Sequence, residues 1–410
     1  MRKALLILVG ICGFAVVAIF AGPATSGGLL LLRPATGSIQ ALPLSDDYPP
    51  RHKGGIDLAT GLYTRENEDL FVPGSPALIL RRTHLSKDRI SRAFGIGATH
   101  PGEEYLIGDG QQFQWASLIL ATGVRIEFKR TSPGTSLLNA MYVHHGTPTE
   151  WQGAELGWMG VSWAIRRRDG SLSIYRACGK GSVCSIVKHR DAAGQWIHYD
   201  RDTRGTLLKM HDGQGRSITF EHDEQDRVTR AVTSTQPEVR YAYDARGRLT
   251  SATSNNSVVR KYTYTDLNEL AAIEEPGTSI ENVYEDGRCV RQVNRYPDGE
   301  PVIFTFTYHV ENDRVVRTDT TRSDGTWTQF TWNANRYSTS ETRGWPGAEP
   351  AVFTYDRDPA TQRITALTLT CPDRQGRPLR HTSNVRPGTE ERIKQNLLQT
   401  HCHWNNWRPR

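Results

Sequence analysis

The stretch YAYDARGRLTSATSNNSVVRKYTYTDLNEL, which runs from Tyr241 to Leu270, contains two versions of one pattern. Each version has two aromatic residues separated by one small residue, then an acidic turn, then a short apolar segment. Tyr241 and Tyr243 should lie on one face of a strand, because side chains two positions apart in an extended chain point the same way. Short polar residues and glycine then favour a tight turn. The pattern predicts a β-hairpin.

The same pattern recurs through the second half of the chain at a nearly constant step. Successive markers are 23, 21, 21, 20, 24, 24 and 23 residues apart. The eight markers are Tyr199, His222, Tyr243, Tyr264, Tyr284, Tyr308, Trp332 and Tyr355. A period in this range is typical of a stacked or rolled array. Eight hairpins predict roughly sixteen antiparallel strands in a sheet about 75 Å wide, and strand twist should make that sheet curl.

Composition and charge place the chain among globular proteins and narrow its partners. The length of 410 residues is typical of two or three domains, and 37% hydrophobic with 23% charged residues argues against a disordered chain. The formal net charge is +6, and the segment from Cys371 to Arg410 has eight basic residues against three acidic ones. A basic tail without a basic stripe through the main fold predicts no nucleic-acid binding. It favours a local contact with an acidic partner.

The N-terminus has the pattern of an export signal. Arg2 and Lys3 precede eighteen uncharged residues, Ala4–Ala21, and small residues follow. This order is typical of a secretory signal peptide, while eighteen apolar residues are also just long enough to span a bilayer. Residues 1–27 are therefore predicted to be a cleaved signal peptide or an uncleaved membrane anchor. Either one predicts an exported bacterial protein that is periplasmic, attached to the cell envelope or secreted.

Export would place the cysteines in an oxidising compartment. Cys178 and Cys184 enclose a short loop that contains glycine, and Cys371 and Cys402 bracket the basic tail. Both pairs could be disulfide bonds. The alternative is that these residues are buried free thiols. Cys289 is then the odd cysteine, and we expect it to be buried.

One unit of the repeat resembles a known family closely. Residues Tyr243–Thr250, Tyr-Asp-Ala-Arg-Gly-Arg-Leu-Thr, match fully the consensus of the rearrangement-hotspot (Rhs), or YD-repeat, family. Its signature here includes Asp244, Gly247 and Arg248, and the other units are degenerate versions. The resemblance covers about residues 185–367. It implies an all-β protein whose long, curled antiparallel sheet of tandem hairpins forms an open or partial shell.

The segment before the repeats is similar to the domain that often opens the repeat region in this family. Gly55–Ser86 and Phe94–His100 carry its motifs, with Ala98 where tryptophan is usual. A further hairpin is predicted at Trp163–Arg176. The sequence thus predicts three units after the leader: an Rhs-type β domain at 50–184, a YD-repeat array at 185–370 and a basic cap at 371–410.

The basic cap contains a helix pattern. Thr389 followed by Glu390 and Glu391 is typical of a helix start. Four residues then fall on one face, namely Ile393, Leu397, Leu398 and His401. We expect this short helix to pack on the end of the sheet as a cap. The alternative is a docking helix for a partner.

No residue pattern predicts catalysis, a cofactor or a metal site. The sequence has neither a G-x-S-x-G nor an H-E-x-x-H motif. His144 and His145 are adjacent, and neighbours in a strand point to opposite faces, which disfavours chelation. A better ligand set would be Cys371, His401, Cys402 and His403, although export favours a disulfide there. The repeat aromatics are expected in the core, whereas an exposed row of them would favour sugar binding.

The resemblance also carries an expectation about function. Full-length relatives form a cocoon around a C-terminal toxin, closed by a self-cleaving core rich in Asp-Pro-x-Gly-Leu. Asp358-Pro359 is isolated here, so we expect this chain to lack both the core and the toxin. The resemblance then implies an exported, non-enzymatic scaffold that binds or encapsulates a partner protein, such as a toxin fragment, a secretion apparatus or an envelope component. Two alternatives are an envelope carbohydrate-binding or adhesion protein and a truncated toxin effector whose toxin is encoded separately.

Overall fold

The structure is a computed structural model that describes residues 54–146, 149–178, 183–254, 257–373, 376–386 and 389–402. The predicted leader, residues 1–27, lies outside these ranges. The strands are β1 (Thr64–Val72), β2 (Leu78–Leu85), β3 (Ser91–Arg92), β4 (Gly95–Ile96), β5 (Ala98–Thr99), β6 (Tyr105–Gly108), β7 (Trp115–Ile119), β8 (Arg125–Arg130), β9 (Met141–Val143), β10 (Glu155–Trp158), β11 (Ser162–Arg166), β12 (Leu172–Arg176), β13 (Cys184–Arg190), β14 (Trp196–Arg201), β15 (Leu207–His211), β16 (Ser217–His222), β17 (Val228–Thr233), β18 (Glu238–Tyr243), β19 (Leu249–Ser254), β20 (Ser257–Tyr264), β21 (Leu270–Glu275), β22 (Thr278–Glu285), β23 (Arg288–Arg295), β24 (Val302–Glu311), β25 (Arg314–Arg322), β26 (Trp327–Trp332), β27 (Ser338–Gly344), β28 (Ala351–Arg357), β29 (Ile364–Pro372) and β30 (Pro378–Asn384). The described helix is α1 (Glu390–His401). None of the described residues belong to an apolar helix of membrane-spanning length.

Strands β6 to β30 form one antiparallel sheet of 25 strands, in which each strand pairs with the next along the chain. The sheet closes on itself near its start. The first part of β13 pairs with β6, with Cys184 opposite Leu106, while the rest of β13 pairs with β14. Strands β6 to β13 therefore make an eight-stranded barrel, and β14 to β30 continue from it as a curled ribbon. The predicted all-β fold with a short C-terminal helix is confirmed.

A β-bulge recurs at the end of the first strand of each repeat hairpin. In the opening stretch the register shifts between Ala242 and Tyr243, and again between Thr263 and Tyr264. The same shift occurs at Asp200/Arg201, Glu221/His222, Val283/Tyr284, His309/Val310, Thr331/Trp332 and Asp356/Arg357. A bulge bends its strand and increases the local twist. One bulge in each unit gives the ribbon its curl.

The signature residues close the turn of the hairpin formed by β18 and β19. Asp244 Oδ1 accepts hydrogen bonds from the backbone N–H groups of Arg246 and Arg248, at 3.0 and 2.9 Å, and Oδ2 accepts one from Arg248 Nε at 2.7 Å. Gly247 has a φ of 82°, a conformation that glycine adopts at little cost. Asp223 and Arg227 repeat the arrangement, with Nε to Oδ2 at 2.8 Å. An aspartate and an arginine four residues later thus close the turn, and the residue before the arginine, Gly247 or Asp226, has a positive φ.

A second contact joins each unit to the next. The guanidinium of Arg248 lies 5.2 Å from the ring centre of Tyr264, and Tyr264 Oη donates a hydrogen bond of 2.8 Å to the carbonyl of Leu249. Tyr284 Oη donates in the same way to Leu270 O, and Tyr308 Oη donates to Cys289 O. These marker tyrosines are therefore tied to the return strand of the preceding hairpin.

The inner face of the ribbon is covered by the N-terminal segment, residues 54–103, which we call the plug. β1, β2 and β5 form its three-stranded sheet. The plug contacts successive repeats through its backbone: Ala93 O accepts from Val228 N at 2.7 Å, and Gly61 O accepts from Cys289 N at 2.9 Å. One core cluster joins plug and ribbon, with Phe94 against Tyr241 at 4.8 Å between ring centres. The aromatic residues of the repeats thus pack against the chain's own N-terminal segment.

A buried ion pair lies at the centre of this contact. Arg82, which is fully buried, pairs with Asp69 at 2.9 Å and donates a hydrogen bond of 2.6 Å to Tyr262 Oη. Asp69 also accepts from Tyr241 Oη at 2.9 Å and pairs with Arg260 at 2.9 Å. A buried charge is tolerated only when it is paired and hydrogen-bonded. These contacts therefore specify one placement of the plug against β18 and β20.

The C-terminal segment packs on the far end of the ribbon. Leu397 and Leu398 of α1 join a second core cluster with Phe353 and Leu367. Thr389 is at the N-cap position, but its hydroxyl donates to Arg386 O at 2.7 Å and does not cap the helix. Two disulfide bonds, Cys178–Cys184 and Cys371–Cys402, are present, and Cys289 is a buried free thiol. The second disulfide ties the end of α1 to β29.

Candidate binding cavity

A cavity of about 900 Å³ lies between the end of the ribbon, the plug and α1. Side chains of β22 to β27 line its wall, Gly54, Leu58 and Arg65 of the plug border it, and Glu390, Glu391 and Lys394 of α1 lie along another side. These elements meet because the ribbon curls around the start of the plug and the second disulfide holds α1 across the last strands. The cavity is therefore bounded by three parts of the chain that are far apart in sequence.

One side of the cavity is a buried charge cluster. Glu341 on β27 accepts from Lys394 Nζ at 2.9 Å and from Tyr355 Oη at 2.7 Å, and it pairs with Arg343. Burial alone would raise the pKa of Glu341, but Lys394 and Arg343 outweigh it and lower this pKa to about 2. Burial would lower the pKa of Lys394, but Tyr355 and Glu341 raise it above its ordinary value. Both side chains are charged at neutral pH, so they join α1 to the wall electrostatically.

The opposite side of the cavity has a more accessible charge pair. Arg65 Nη2 of the plug lies 2.9 Å from Glu275 Oε1 at the end of β21, and Arg260 Nε donates to the same carboxylate at 3.1 Å. Their side chains are roughly a fifth exposed. Arg295 and Arg322 also line the cavity. Cations and carboxylates thus alternate around the wall, and neither sign dominates.

Hydroxyl groups and aromatic rings line the rest of the cavity wall. Five threonines line the cavity: Thr278, Thr320, Thr321, Thr326 and Thr328. Phe304 and Phe330 are on the wall, and Tyr296 and Trp327 are 51% and 36% exposed. Pockets of roughly 300–1,000 Å³ hold drug-sized ligands. A folded domain of 100 residues has a radius of gyration of about 13 Å, so it is far too large for this space.

The predicted signature residues are structural in this fold. Tyr199, Tyr355 and Trp332 are buried, and Tyr243, Tyr264, Tyr284 and Tyr308 pack against the core with their hydroxyls bonded to neighbouring strands. Of the eight markers, Tyr355 alone lines the cavity. The expectation that the repeat aromatics belong to the core agrees with these contacts.

The residues weighed as metal ligands in the sequence do not form a ligand set among the described residues. His144 is buried with Nδ1 2.7 Å from Glu127 O, and Cys402 is in a disulfide. His403 lies outside the described residues. Within the described ranges there is no group of three or more His, Cys, Asp and Glu side chains that could hold a metal ion.

Sequence reasoning did not identify the cavity residues. Glu341 and Lys394 are ordinary charged residues in sequence, 53 positions apart. One signal was available: Glu341 stands at a buried position of β27, where the return strands β17, β19 and β21 carry the apolar residues Ala231, Ala252 and Ile273 and β23 carries the uncharged Gln292. A charge on the buried face of a strand requires a partner.

Two family models match the chain. The model described as Teneurin YD-shell matches residues 185–369, and the model of a domain of unknown function (DUF6531) matches residues 53–128. No curated protein matches the chain.

Several solved structures are similar to the chain at low sequence identity. The crystal structure of TcdB2-TccC3-Cdc42 is 9% identical with a TM-score of 0.33, and the match covers 77% of this chain and 22% of that one. The Photorhabdus luminescens Tc holotoxin pore is 12% identical with a TM-score of 0.21, covering 78% and 23%. A porin-like protein from Bacteroides uniformis is 10% identical with a TM-score of 0.20, covering 56% and 92%. The chain spans about a fifth of the length of the first of these, and these superpositions carry no functional argument.

Proposed function

Because the chain is a YD-repeat protein of the rearrangement-hotspot type, we propose that it is an exported, non-enzymatic shell scaffold that holds an extended polypeptide segment of a partner protein. The observation that carries this proposal is the cavity between the ribbon and α1. Its volume of about 900 Å³ accepts a short extended segment and excludes a folded domain. The scaffold therefore acts on a tail or loop of its partner.

The chemistry of the wall supports a polypeptide ligand. An extended peptide presents backbone donors and acceptors and side chains of either charge, and the cavity offers threonine hydroxyls beside both carboxylates and guanidinium groups. Arg65 and Arg322 suit acidic or carbonyl groups, and Glu275 and Glu391 suit basic ones. Such a mixed wall matches a peptide better than it matches a purely anionic or apolar ligand.

The disulfides support export. The chain has two disulfide bonds. Disulfide bonds persist in oxidising compartments and are rare in proteins of the reducing cytosol. The leader of residues 1–27 would supply the export signal. Mass measurement of the unfolded protein from the periplasmic and culture fractions would test both points. A cleaved leader lowers the mass, and the four disulfide cysteines take up thiol label only after reduction, whereas the free Cys289 is labelled without it.

A photo-crosslinking experiment tests the proposed ligand. A benzoylphenylalanine in place of Tyr296, at the cavity, should capture polypeptide in cells, whereas the same probe in place of Val283, which is exposed on β22, should not. Thr328→Trp, which fills the cavity, should abolish capture at 296. Thr307→Trp, on the exposed face of β24, is the matched control and should leave it intact. Equal capture at both positions would contradict the proposal.

Carbohydrate binding is the second candidate because Tyr296 and Trp327 are partly exposed at the cavity. Aromatic faces at such a site can stack on sugar rings. In the same crosslinking experiment this candidate predicts that the captured species resists protease and is released by glycan-degrading enzymes.

A further inference from the structure

Two loops at one end of the eight-stranded barrel carry no charge, although Asp109 of the β6–β7 loop and Arg176 at the end of β12 lie at the same end. At one end lie the loop between β8 and β9 (131–140) and the turn between β10 and β11 (159–161), which we call the apolar end. The surrounding segments, 131–143 and 156–165, contain no charged residue. The loops at the opposite end carry several charged or titratable residues, namely His145, Glu150, Arg167, Arg168, Asp169 and Asp191.

The apolar end exposes large hydrophobic side chains. Leu138 and Val161 are 79% and 80% exposed, and Met159 is 59% exposed. Met141 is also exposed, and its Sδ lies over Gly157 of β10, 2.8 Å from where a Cβ would be. Soluble monomers seldom group exposed apolar residues in this way, and such groups mark interaction sites.

The loops that present these side chains are ordered by hydrogen bonds. Arg130 donates through its guanidinium to the carbonyls of Phe113, Ser132, Pro133 and Ser136 and to Asn139 Oδ1. Met159 N donates to Ser162 O at 2.8 Å, which closes the hairpin turn that carries Val161. Arg130 therefore uses its donors on the loop, and the hydrophobic tips project from a fixed base.

Two tryptophans lie directly behind the tips. Trp158 and Trp163 flank the hairpin turn as a cross-strand pair, with ring centres 5.2 Å apart, and Trp163 also lies 6.0 Å from Tyr142. Tryptophan favours the boundary between lipid headgroups and hydrocarbon, and Trp163 is partly exposed there. Tyr142 and the indole N–H of Trp158 are buried and support the tips from within the barrel.

We propose that the apolar end is a lipid-docking site, by which the barrel inserts Leu138, Met159 and Val161 into the outer part of a bilayer. Insertion of a loop is opposed mainly by the cost of removing charges from water, and these two segments have none. The three side chains are largely exposed at the tips of two neighbouring loops, where they are free to enter a bilayer. This site is independent of the leader and of the cavity.

The proposal predicts how binding depends on lipid charge. Since the apolar end has no charged group in 131–143 or 156–165, docking should occur on zwitterionic phosphatidylcholine vesicles and should change little with salt. Electrostatic adhesion of the basic tail would instead require anionic lipid and would weaken as salt rises.

A depth probe tests the proposal in the full chain and separates it from any contact made by the leader. We would attach a nitrobenzoxadiazole fluorophore to Val161→Cys and, as a control, to Leu267→Cys, an exposed residue in a repeat turn. With phosphatidylcholine vesicles the emission of the probe at 161 should shift to shorter wavelength and be quenched by spin-labelled lipid. The probe at 267 should keep the emission that it has in water. Leader-only binding, which leaves both probes aqueous, would overturn the proposal.

Charge substitution gives the second measurement. Leu138→Asp combined with Val161→Asp should weaken vesicle affinity, measured by quenching of a probe at Met159→Cys, by about tenfold or more, because two apolar side chains that would enter the bilayer become charged. Leu208→Asp, at an exposed site on β15, should leave it unchanged. If the tip variants changed only a monomer–dimer equilibrium in sedimentation and not the probe, a second copy of the chain would be the occupant and the lipid proposal would be wrong.

Discussion

The hydroxyl of Tyr243 donates a hydrogen bond of 2.6 Å to the carbonyl oxygen of Val228, which lies in the return strand of the preceding hairpin. The guanidinium of Arg227 lies 4.5 Å from the centre of the same ring. The pair explains why a Tyr-Asp signature and a Gly-Arg signature occur together. The aspartate and arginine close one turn, and the arginine then packs on the tyrosine of the following unit.

Removing this hydroxyl should weaken the junction between two repeats. Tyr243→Phe leaves the ring in place and the Val228 carbonyl without its donor, so we expect a loss of about 1 kcal/mol in the free energy of unfolding. Urea denaturation measures it. Tyr296→Phe, at an exposed residue, is the control and should change nothing. If Tyr243→Phe left the free energy of unfolding unchanged, the hydroxyl would not join the units.

Acid should release α1 from the ribbon. The pKa of Glu341 is about 2 in the folded chain and 4.5 ordinarily, so its stabilising effect is fully present above pH 4.5 and is lost as pH falls towards 2. The shift corresponds to about 3 kcal/mol. Hydrogen exchange of the α1 amides at pH 5 and pH 2.5 should show this loss. In Glu341→Gln the protection should depend little on pH, and an unchanged dependence would count against the role of Glu341.

A second buried carboxylate should act in the opposite direction. Burial raises the pKa of Glu104, which accepts a hydrogen bond of 2.7 Å from Tyr175 Oη, to about 7. The folded state then holds a proton that the unfolded state releases, so stability should fall as pH rises from 4.5 to about 7. Glu104→Gln should remove that decline and should raise the free energy of unfolding at pH 8 by about 3 kcal/mol relative to the unmodified protein. Denaturation midpoints between pH 5 and pH 8 would reveal it, and parallel profiles for both proteins would contradict it.

Breaking the second disulfide should loosen the cap and leave the ribbon intact. Cys402→Ser removes the covalent link between the end of α1 and β29. We expect the α1 amides to exchange faster while those of β18 to β21 keep their protection, because the core that contains Tyr241 and Tyr262 is separate from the α1 cluster. Cys289→Ser, at the free thiol, is the control. Loss of protection across the whole ribbon would show that the cap nucleates the shell.

The sequence could predict the repeat and its hairpins because one unit is short and its signals are local. Aromatic residues at alternate positions, an aspartate and a glycine suffice to define a strand and a turn. The bulge at Tyr243 was not predictable, since a register shift depends on which residue of the partner strand it faces. Tyr243 is therefore both a marker of the repeat in the sequence and the position of a bulge in the sheet.

The plug and the cavity depend on contacts that no local pattern records. Arg82 meets Tyr262 across 180 positions, and Lys394 meets Glu341 across 53. The sequence predicted a short helix from Glu390 because its apolar face is periodic, and Leu397 and Leu398 of that helix pack in a cluster with Phe353 and Leu367. It did not show that the ribbon packs on the N-terminal segment, because the apolar face of a strand does not specify what covers it.

The central claim is that the ribbon is wound around its own N-terminal plug, and a double-mutant cycle between Arg82 and Tyr262 tests it most directly. Arg82→Lys keeps the charge beside Asp69 and removes the hydrogen bond to the phenol, and Tyr262→Phe removes the same bond from the other side. The structure predicts a coupling energy of about 1 kcal/mol or more between these residues in the unfolding free energy. Strictly additive effects of the two substitutions would mean that the plug and the repeats do not touch there, and the account would be wrong.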